Sequence, residues 1–351
     1  MKEVVYQGKL YRFKAVLGHR YLAFQYGIPK RVSDKDYRIL IQDPDFVELK
    51  DFPSVEKYGE GEVESIAVVL PAALGDLIQL HAVTKKFKKY TGNAVKVSVY
   101  TGKGYAAILK YSNVFDAVHV GCDGRDFDSD AVIYISPFIQ LDHERLDFRI
   151  HRCELMWLRL TGKRNLPTPL DFSIPIGEVE MRRAEDEIHR FGGSRIVVVQ
   201  LVGSTEIKSF QPEMVDVVCS TIKDLGWNPV VLHHHRIGSV APFYSAPTPL
   251  DALAFVSLCE AMICTDSGGL WLAHAASKPT LAFLGATNPE ARTSLHPAYC
   301  KSVELNKWIK CPSCFESMRA CDGKISCIRE ANPRKIRNEV MEFLYSIEGD
   351  L

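Results

Sequence analysis

Residues 265–276, with the sequence Thr-Asp-Ser-Gly-Gly-Leu-Trp-Leu-Ala-His-Ala-Ala, lie between two short apolar runs, 261–264 and 279–285. The two runs are typical of buried strands, and small or apolar residues such as Leu270 and Ala273 recur at helical spacing between them. This order of strand, glycine turn and helix predicts a helix packed on a parallel sheet. The start of such a helix presents backbone N–H groups and the positive end of the helix dipole, which suits a phosphate. The residues leave a second interpretation open, an Asp or Ser N-cap followed by glycines that let helix and strand pack closely.

The composition is that of a globular protein with more than one domain. The chain has 351 residues, 46% hydrophobic and 25% charged, which is enough for two domains with ordinary cores. No apolar run approaches the roughly 18 residues of a membrane span. Residues 1–5 lack the apolar stretch of a signal peptide, which predicts a cytoplasmic protein. Basic and acidic residues number 43 each, which argues against a surface coated for nucleic acid but permits a local basic face.

The chain divides into segments of different pattern. The first contains a predicted hairpin around 18–20 and a short helix capped by Ser33, which together indicate a small α+β appendage. Strands and helices then alternate, as in an α/β protein, and a proline-containing linker at 162–170 separates two such series. A final helix has Asn332 as its predicted N-cap. The predicted segments are 1–60, 61–170, 171–332 and 333–351.

A second strand of the later series ends in a loop suited to a diphosphate. The apolar run 196–201 precedes Gly203, Ser204, Thr205 and Lys208, which offer a backbone N–H, two hydroxyls and a cation. Surface turns often contain the same residues. The loop becomes informative only together with residues 265–276, because ligands of open α/β sheets bind at the carboxyl ends of neighbouring strands.

These motifs resemble the heptosyltransferase family (glycosyltransferase family 9). The resemblance rests on Gly203-Ser204-x-x-x-Lys208, Asp266-Ser267-Gly268 with His274 in the helix, Gly285-x-Thr287-x-Pro289, and Gly75-Asp76 after the first strand of the α/β region. It spans roughly residues 65–345 and is strongest over 196–290. It implies a GT-B fold: a Rossmann-like acceptor domain, a Rossmann-like nucleotide-sugar domain, a cleft between them and a C-terminal crossover helix.

The resemblance also implies an activity. It implies inverting, metal-independent transfer of a sugar from a nucleotide-diphosphate donor to an acceptor hydroxyl, with no cofactor for catalysis. Asp76 would be the catalytic base, and the residues alone leave open that it caps its own helix. His274 is expected to be a packed or helix-bonded histidine. The predicted donor-binding residues are Gly203, Ser204, Thr205, Lys208, Asp266, Ser267, Gly268, Gly269 and Thr287.

Basic residues of the first domain predict either an anionic acceptor or a solvated face. A helix predicted over 141–160 would place a stripe of arginines on one side, and arginine binds phosphate or carboxylate through two parallel hydrogen bonds. Four lysines within 85–89 either complement a helix dipole or extend the same face. The predicted acceptor-binding residues are Gly75, Arg145, Arg149 and Arg152.

Three hypotheses about the acceptor and the activity follow. The family points to the phosphorylated inner core of lipopolysaccharide, which would bring a cytoplasmic protein to the inner membrane. A hydroxylated base in DNA is the alternative acceptor, although the balanced charge argues against strong backbone binding. A non-catalytic nucleotide-sugar-binding or assembly protein is the hypothesis from a different class.

Two further features are a cluster of cysteines and one departure from the family pattern. Cys311, Cys314, Cys321 and Cys327 form a C-x2-C-x6-C-x5-C cluster in the loop 311–327, which suits a structural zinc ion; thiols or disulfides, and an iron–sulfur centre, remain alternatives.

After the strand 229–232 stands His233-His234-His235-Arg236, where the family has a small residue and a glutamate that contact the nucleoside. This departure leaves the donor base open.

Overall fold

The structure is a computed structural model of the chain. The residues that it describes are 2–6, 12–17, 20–25, 29–40, 42, 46–48, 63–70, 73–121, 127, 129–135, 151–163, 165–311, 324 and 326–348. Arg145, Arg149, Cys314 and Cys321 lie outside this set. Within it, no helix has both the length and the apolarity needed to cross a bilayer.

The N-terminal segment consists of two small antiparallel sheets and one helix. The elements are β1 (Lys2–Tyr6), β2 (Arg12–Leu17), β3 (Arg20–Gln25), β4 (Pro29–Val32), α1 (Asp34–Leu40) and β5 (Phe46–Glu48). Strands β2 and β3 form the predicted hairpin, while β1 pairs with β4 on one side and β5 on the other. The Asp36 N–H donates to Ser33 Oγ at 3.2 Å, so the predicted cap of α1 is confirmed.

A parallel sheet of four strands follows, in the order β8-β7-β6-β9. Its elements are β6 (Ser65–Leu70), α2 (Leu74–Tyr90), β7 (Lys96–Thr101), β8 (Ala117–Val120), β9 (Ala131–Tyr134) and α3 (Arg152–Thr161). Helix α2 is buried on nearly all sides of its first three turns, which is typical of a helix in the middle of a core. Residues 74–76 form the first turn of this helix.

The prediction of a helix over 141–160 is wrong about the residue at which the helix begins. Helix α3 begins at Arg152, because His151 has extended backbone angles (φ −70°, ψ 141°) and its Nδ1 accepts a hydrogen bond from the Cys153 N–H. An extended residue at this point interrupts any helix that comes before it. The predicted stripe of arginines on one helix face therefore does not extend from Arg145 and Arg149 to Arg152.

The third part is a parallel sheet of six strands, in the order β12-β11-β10-β13-β14-β15. Its strands are β10 (Ile196–Gln200), β11 (Asn228–Leu232), β12 (Phe243–Tyr244), β13 (Ala261–Thr265), β14 (Thr280–Leu284) and β15 (Cys300–Glu304). The helices are α4 (Glu178–Arg190), α5 (Pro212–Asp224), α6 (Pro249–Leu258), α7 (Gly268–Ala276), α8 (Leu305–Trp308), α9 (Ser326–Arg329) and α10 (Pro333–Glu348). Strands β10, β13 and β14, which precede the predicted donor loops, are neighbours.

The C-terminal helix α10 packs on this third part. Its predicted apolar stripe, which includes Ile336 and Phe343, is buried in the core on one face of the six-stranded sheet, and the helix contacts α5. The Arg334 N–H donates to Asn332 Oδ1 at 2.9 Å, so the predicted N-cap is confirmed. The crossover helix expected from the family thus has its apolar face on the second parallel sheet.

The two parallel sheets share one continuous core, and α2 and α7 meet at their amino ends. A Cβ atom added to Gly75 would collide with the Trp271 ring, and one added to Gly268 would lie 3.5 Å from Leu74 Cδ2. Gly75 therefore has a packing role, because its missing side chain leaves room for Trp271. This contact places the first turn of each helix beside the other.

Candidate active site

A buried ion pair lies at the start of α2. Asp76 Oδ1 is 3.0 Å from Arg152 NH1, and the two side chains are only 5% and 12% exposed. Asp76 lies in the first turn of α2, and the N-cap residue Ala73 provides no side-chain cap. Asp76 thus does not cap its own helix; its carboxylate binds the first arginine of α3.

A second carboxylate lies at the end of β13 and has two cationic partners. Asp266 Oδ2 is 3.1 Å from Arg292 Nε and 3.3 Å from Lys208 Nζ. Arg292 is fully buried, and Lys208 is 13% exposed. Lys208 reaches Asp266 from the loop after β10, and Arg292 reaches it from the loop after β14, as expected for three neighbouring strand ends.

The ion pairs of the two carboxylates form one cluster, which we call the Asp76–Asp266 cluster: Asp76, Arg152, Lys208, Asp266 and Arg292. Burial by itself would raise the pKa of Asp266, but Lys208, Arg292 and Arg152, in that order, hold this pKa below its ordinary value. The charge of Arg152 therefore acts on both carboxylates. Among the described residues of the cluster, three cationic side chains lie within 3.3 Å of the two carboxylates, and such a group of buried cations suits an anionic ligand.

Sequence reasoning missed Arg292. It lies three residues after Pro289, the last residue of the motif in the loop after β14. A charged residue at the carboxyl end of a buried parallel strand is an indication that could have been used. Its complete burial could not have been predicted, because arginine is almost never fully buried unless it is paired.

The loop after β10 is held by its own hydrogen bonds. Ser209 Oγ accepts from the Gly203 N–H at 3.0 Å and donates to the Thr205 carbonyl at 2.7 Å. The Gly203 N–H that the sequence assigned to a phosphate is therefore engaged by Ser209 in this state. Ser204 and Thr205 are exposed, and Lys208 points to Asp266.

The amino end of α7 carries no side-chain cap. Ser267 occupies the N-cap position, but its hydroxyl donates to Gln200 Oε1 at 3.1 Å. Gly269 is packed so closely that a Cβ atom would collide with the same Gln200 side chain. The interpretation of Ser267 as a capping side chain is therefore wrong, and the first N–H groups of α7 retain the anion-binding character of a helix start.

Two buried hydroxyls border this site. Thr265 Oγ1 and Thr287 Oγ1 are buried and have no hydrogen-bond partner among the described residues. Thr265 precedes Asp266 directly, and Thr287 lies in the loop after β14 that also supplies Arg292. Buried hydroxyls are ordinarily hydrogen-bonded, so these two atoms mark places where a ligand or water would find a partner.

The lysines within 85–89 do not form a free basic face. Lys85 Nζ is 2.5 Å from Asp171, and Lys88 Nζ is 2.5 Å from Asp116. Both lie in the last turns of α2, where cations also complement the helix dipole. The structure thus favours the plainer of the two interpretations for these two lysines.

No protein-family model matches the sequence, and no curated protein matches it. Solved structures do. A family 9 glycosyltransferase from Veillonella parvula DSM 2008 has a TM-score of 0.63 at 15% identity, over 81% of this chain and 98% of that one. The E. coli ADP-heptose LPS heptosyltransferase II has a TM-score of 0.59 at 13% identity, over 81% of this chain and 99% of that one. The chain has a GT-B fold, like these solved structures.

A third solved structure adds a metal to the comparison. The iron-containing dodecameric glycosyltransferase TibC from enterotoxigenic E. coli H10407 has a TM-score of 0.58 at 14% identity, over 80% of this chain and 76% of that one. Identities this low support a shared GT-B fold and no more, because one fold hosts many activities. In the GT-B fold of this chain, the Asp76–Asp266 cluster lies where the two parallel-sheet domains meet.

Buried histidines line the same junction of the GT-B domains. His274 Nδ1 donates to the Leu270 carbonyl at 2.7 Å, so the predicted helix-bonded role of His274 is confirmed. Its ring centroid lies 4.1 Å from that of His296, and the His151 ring lies 5.9 Å from Trp271. Burial is the main cause that lowers the pKa of all three, to about 3 for His151, to about 4 for His296 and well below the ordinary value for His274.

These histidines make the fold sensitive to acid. An unfolded histidine titrates near pH 6.5, so between that pH and about 4 the unfolded chain binds protons that His151 and His296 in the native state do not. The contribution of these histidines to the free energy of unfolding is complete above pH 6.5. It falls as the pH drops through this window, by up to about 1.4 kcal/mol per pH unit for each histidine. We expect the urea midpoint to fall between about pH 7.5 and 5. His296→Gln should reduce this slope and His189→Gln, at an exposed position, should not; an unfolding free energy constant over the range would contradict the expectation.

Proposed function

We propose that this protein is an inverting glycosyltransferase that moves a sugar from a nucleotide-diphosphate sugar to an acceptor hydroxyl. The observation that supports this most is the Asp76–Asp266 cluster, which combines a buried carboxylate at the start of α2 with the cationic side chains of Lys208 and Arg292 at the start of α7. A transferase of this type needs both: a proton acceptor on one side of the anomeric carbon and cations for the departing diphosphate on the other.

The donor would bind with its diphosphate at the amino end of α7. Lys208 and Arg292 offer cations within 3.3 Å of Asp266, and the uncapped helix start offers N–H groups and the positive end of the dipole. The hydroxyls of Ser204, Thr205 and Thr287 would complete the set of donors. These groups stabilise the charge that the diphosphate gains as it leaves, by several kcal/mol in total.

The transfer step would use Asp76 as the base. The acceptor hydroxyl gives its proton to the Asp76 carboxylate, and its oxygen attacks the anomeric carbon from the face opposite the diphosphate. The bond between the anomeric carbon and the diphosphate oxygen breaks, and its electron pair leaves with the diphosphate. Attack from the opposite face inverts the configuration. We propose no metal in this step, because the side-chain cations of the cluster supply the positive charge that the leaving group requires.

The acceptor is proposed to be anionic and to bind beside Gly75 and Arg152 in the first GT-B domain. The E. coli protein of similar fold is named an ADP-heptose LPS heptosyltransferase. This name favours a phosphorylated glycolipid core, rather than a hydroxylated base in DNA, as the acceptor. Such an acceptor would bring the protein to a membrane surface.

One assay tests the reaction and separates the acceptors. Release of nucleoside diphosphate is measured with ADP-, UDP-, GDP- and CDP-linked sugars, and with either a phosphorylated glycolipid core or hydroxymethylated DNA as the acceptor. We expect release with one nucleotide class that rises with the glycolipid and not with the DNA. Release stimulated by DNA, together with DNA binding that weakens steeply with salt, would favour the second acceptor. Nucleotide-sugar binding without any turnover would favour the non-catalytic hypothesis.

A structural metal in the loop 311–327 is a separate proposal. Four thiolates suit zinc, and the iron named for TibC makes iron the alternative. Among the described residues no cluster of metal-ligating side chains is present, but the described residues include only two of the four cysteines. The Cys311 N–H donates to the Asn306 carbonyl at 2.8 Å, and Cys327 packs beside Gly285. The Cys327 end of the loop thus lies beside the start of the loop after β14.

We expect elemental analysis of the purified protein to give one equivalent of zinc. Cys314→Ser should remove the metal and lower the melting temperature, because ligands for a structural metal contribute directly to folding. The scattered, buried Cys219 offers a control, since Cys219→Ala should retain the metal. One equivalent of iron would replace zinc in the proposal, and a metal-free protein would refute it.

A further inference from the structure

We propose that Arg152 is a positioning residue that binds Asp76 before the donor enters and transfers to the donor diphosphate afterwards. In this proposal the donor exposes the base, so that Asp76 accepts a proton only when a sugar is in place. The inference rests on the proposed function and adds an order of binding to it: donor first, acceptor second.

The first support is the position of Arg152, which is bound to one carboxylate and lies within electrostatic range of the other. Its NH1 lies 3.0 Å from Asp76 Oδ1, and its charge is one of the three that lower the pKa of Asp266. Asp76 belongs to the first parallel-sheet domain and Asp266 to the second. A single guanidinium therefore interacts with both sides of the junction.

The second support is the difference between the two carboxylates in their cationic partners. Asp266 has Lys208 and Arg292 within 3.3 Å, and it keeps both when Arg152 moves. Asp76 Oδ1, by contrast, is bound by Arg152 in this state. One carboxylate oxygen of the proposed base is thus engaged until Arg152 leaves it.

The third support is the chemistry of the exchange. A diphosphate beside Lys208 brings more negative charge than one carboxylate, and guanidinium binds phosphate through paired, charge-assisted hydrogen bonds. The backbone of Arg152 is fixed as the first residue of α3 by the His151 cap. Only side-chain torsions of Arg152 need to change, which makes the exchange local.

A double-mutant cycle on nucleoside diphosphate binding tests the exchange. The probe is whichever of ADP, UDP, GDP and CDP binds wild type most tightly, measured by calorimetry without acceptor. Asp76→Asn releases Arg152, so we expect its Kd to be about 5- to 10-fold lower than that of wild type, and Arg152→Met to raise Kd about 10-fold or more. In the double variant the gain from Asp76→Asn should disappear, so that its Kd equals that of Arg152→Met.

Each other outcome has a definite meaning. Tightening by Asp76→Asn that persists in the double variant would mean simple relief of charge repulsion and would overturn the exchange. An unchanged or weaker Kd in Asp76→Asn would overturn it as well. Arg152→Lys, which keeps the charge, serves as the second variant if Arg152→Met fails to fold, and it should restore part of the affinity. If no nucleoside diphosphate binds wild type, the proposed function itself fails; if wild type binds and Lys208→Met does not, only the exchange is at stake.

Discussion

Asp76→Asn is expected to lower the turnover number for sugar transfer by about 100-fold or more, because the amide cannot take the proton of the acceptor hydroxyl. The substitution keeps the size of the side chain and removes the negative charge that binds Arg152 NH1, 3.0 Å away in the native protein. The loss should therefore appear in kcat, while the nucleoside diphosphate still binds.

A matched aspartate provides the control for this experiment. Asp224 is also paired with an arginine, Arg337, but both side chains are at least 50% exposed. Asp224→Asn should leave kcat unchanged, since an exposed pair contributes little. If Asp76→Asn folded, bound the nucleotide and retained wild-type turnover, Asp76 would not be the base. If wild type itself showed no turnover, the non-catalytic hypothesis would gain support.

Lys208→Met is expected to weaken nucleoside diphosphate binding by about 10- to 100-fold. A hydrogen bond to a charged group contributes about 1.5–3 kcal/mol, which corresponds to this range of Kd. Asp266 retains Arg292 at 3.1 Å when the lysine is removed, so the buried carboxylate stays paired and the fold should survive. The change is measured by calorimetric titration.

The control for the lysine lies on the same domain. Lys307 pairs with Glu304 at the surface, and its side chain is 69% exposed. Lys307→Met should bind nucleotide as wild type does. An equal Kd for wild type and Lys208→Met would place the diphosphate somewhere other than the loop after β10.

The second parallel-sheet domain was largely predictable from local patterns. Its apolar runs mark β10, β13 and β14, and polar loops follow each of them, so the neighbourhood of Lys208 and Asp266 followed from the rule that strand ends bind ligands. The final helix was equally clear, because Asn332 and Pro333 mark its start and an apolar stripe marks its buried face. In these cases sequence neighbours decide the structure.

The pairing of Asp76 was not predictable, because its partner lies 76 residues away. The start of α3 was missed for a local reason: histidine is not among the preferred N-cap residues, so nothing marked His151 as the point where the helix begins. Arg292 was missed because burial of an arginine depends on a partner from another strand end. The misses at Asp76 and Arg292 concern contacts made only in the folded chain.

Calorimetric titration of wild type and Lys208→Met with ADP, UDP, GDP and CDP is the measurement that tests the central claim most directly. The account predicts that one of these binds wild type with 1:1 stoichiometry and binds Lys208→Met about 10- to 100-fold more weakly. Absence of binding by all four to wild type, or binding that does not depend on Lys208, would contradict a donor diphosphate site at the Asp76–Asp266 cluster.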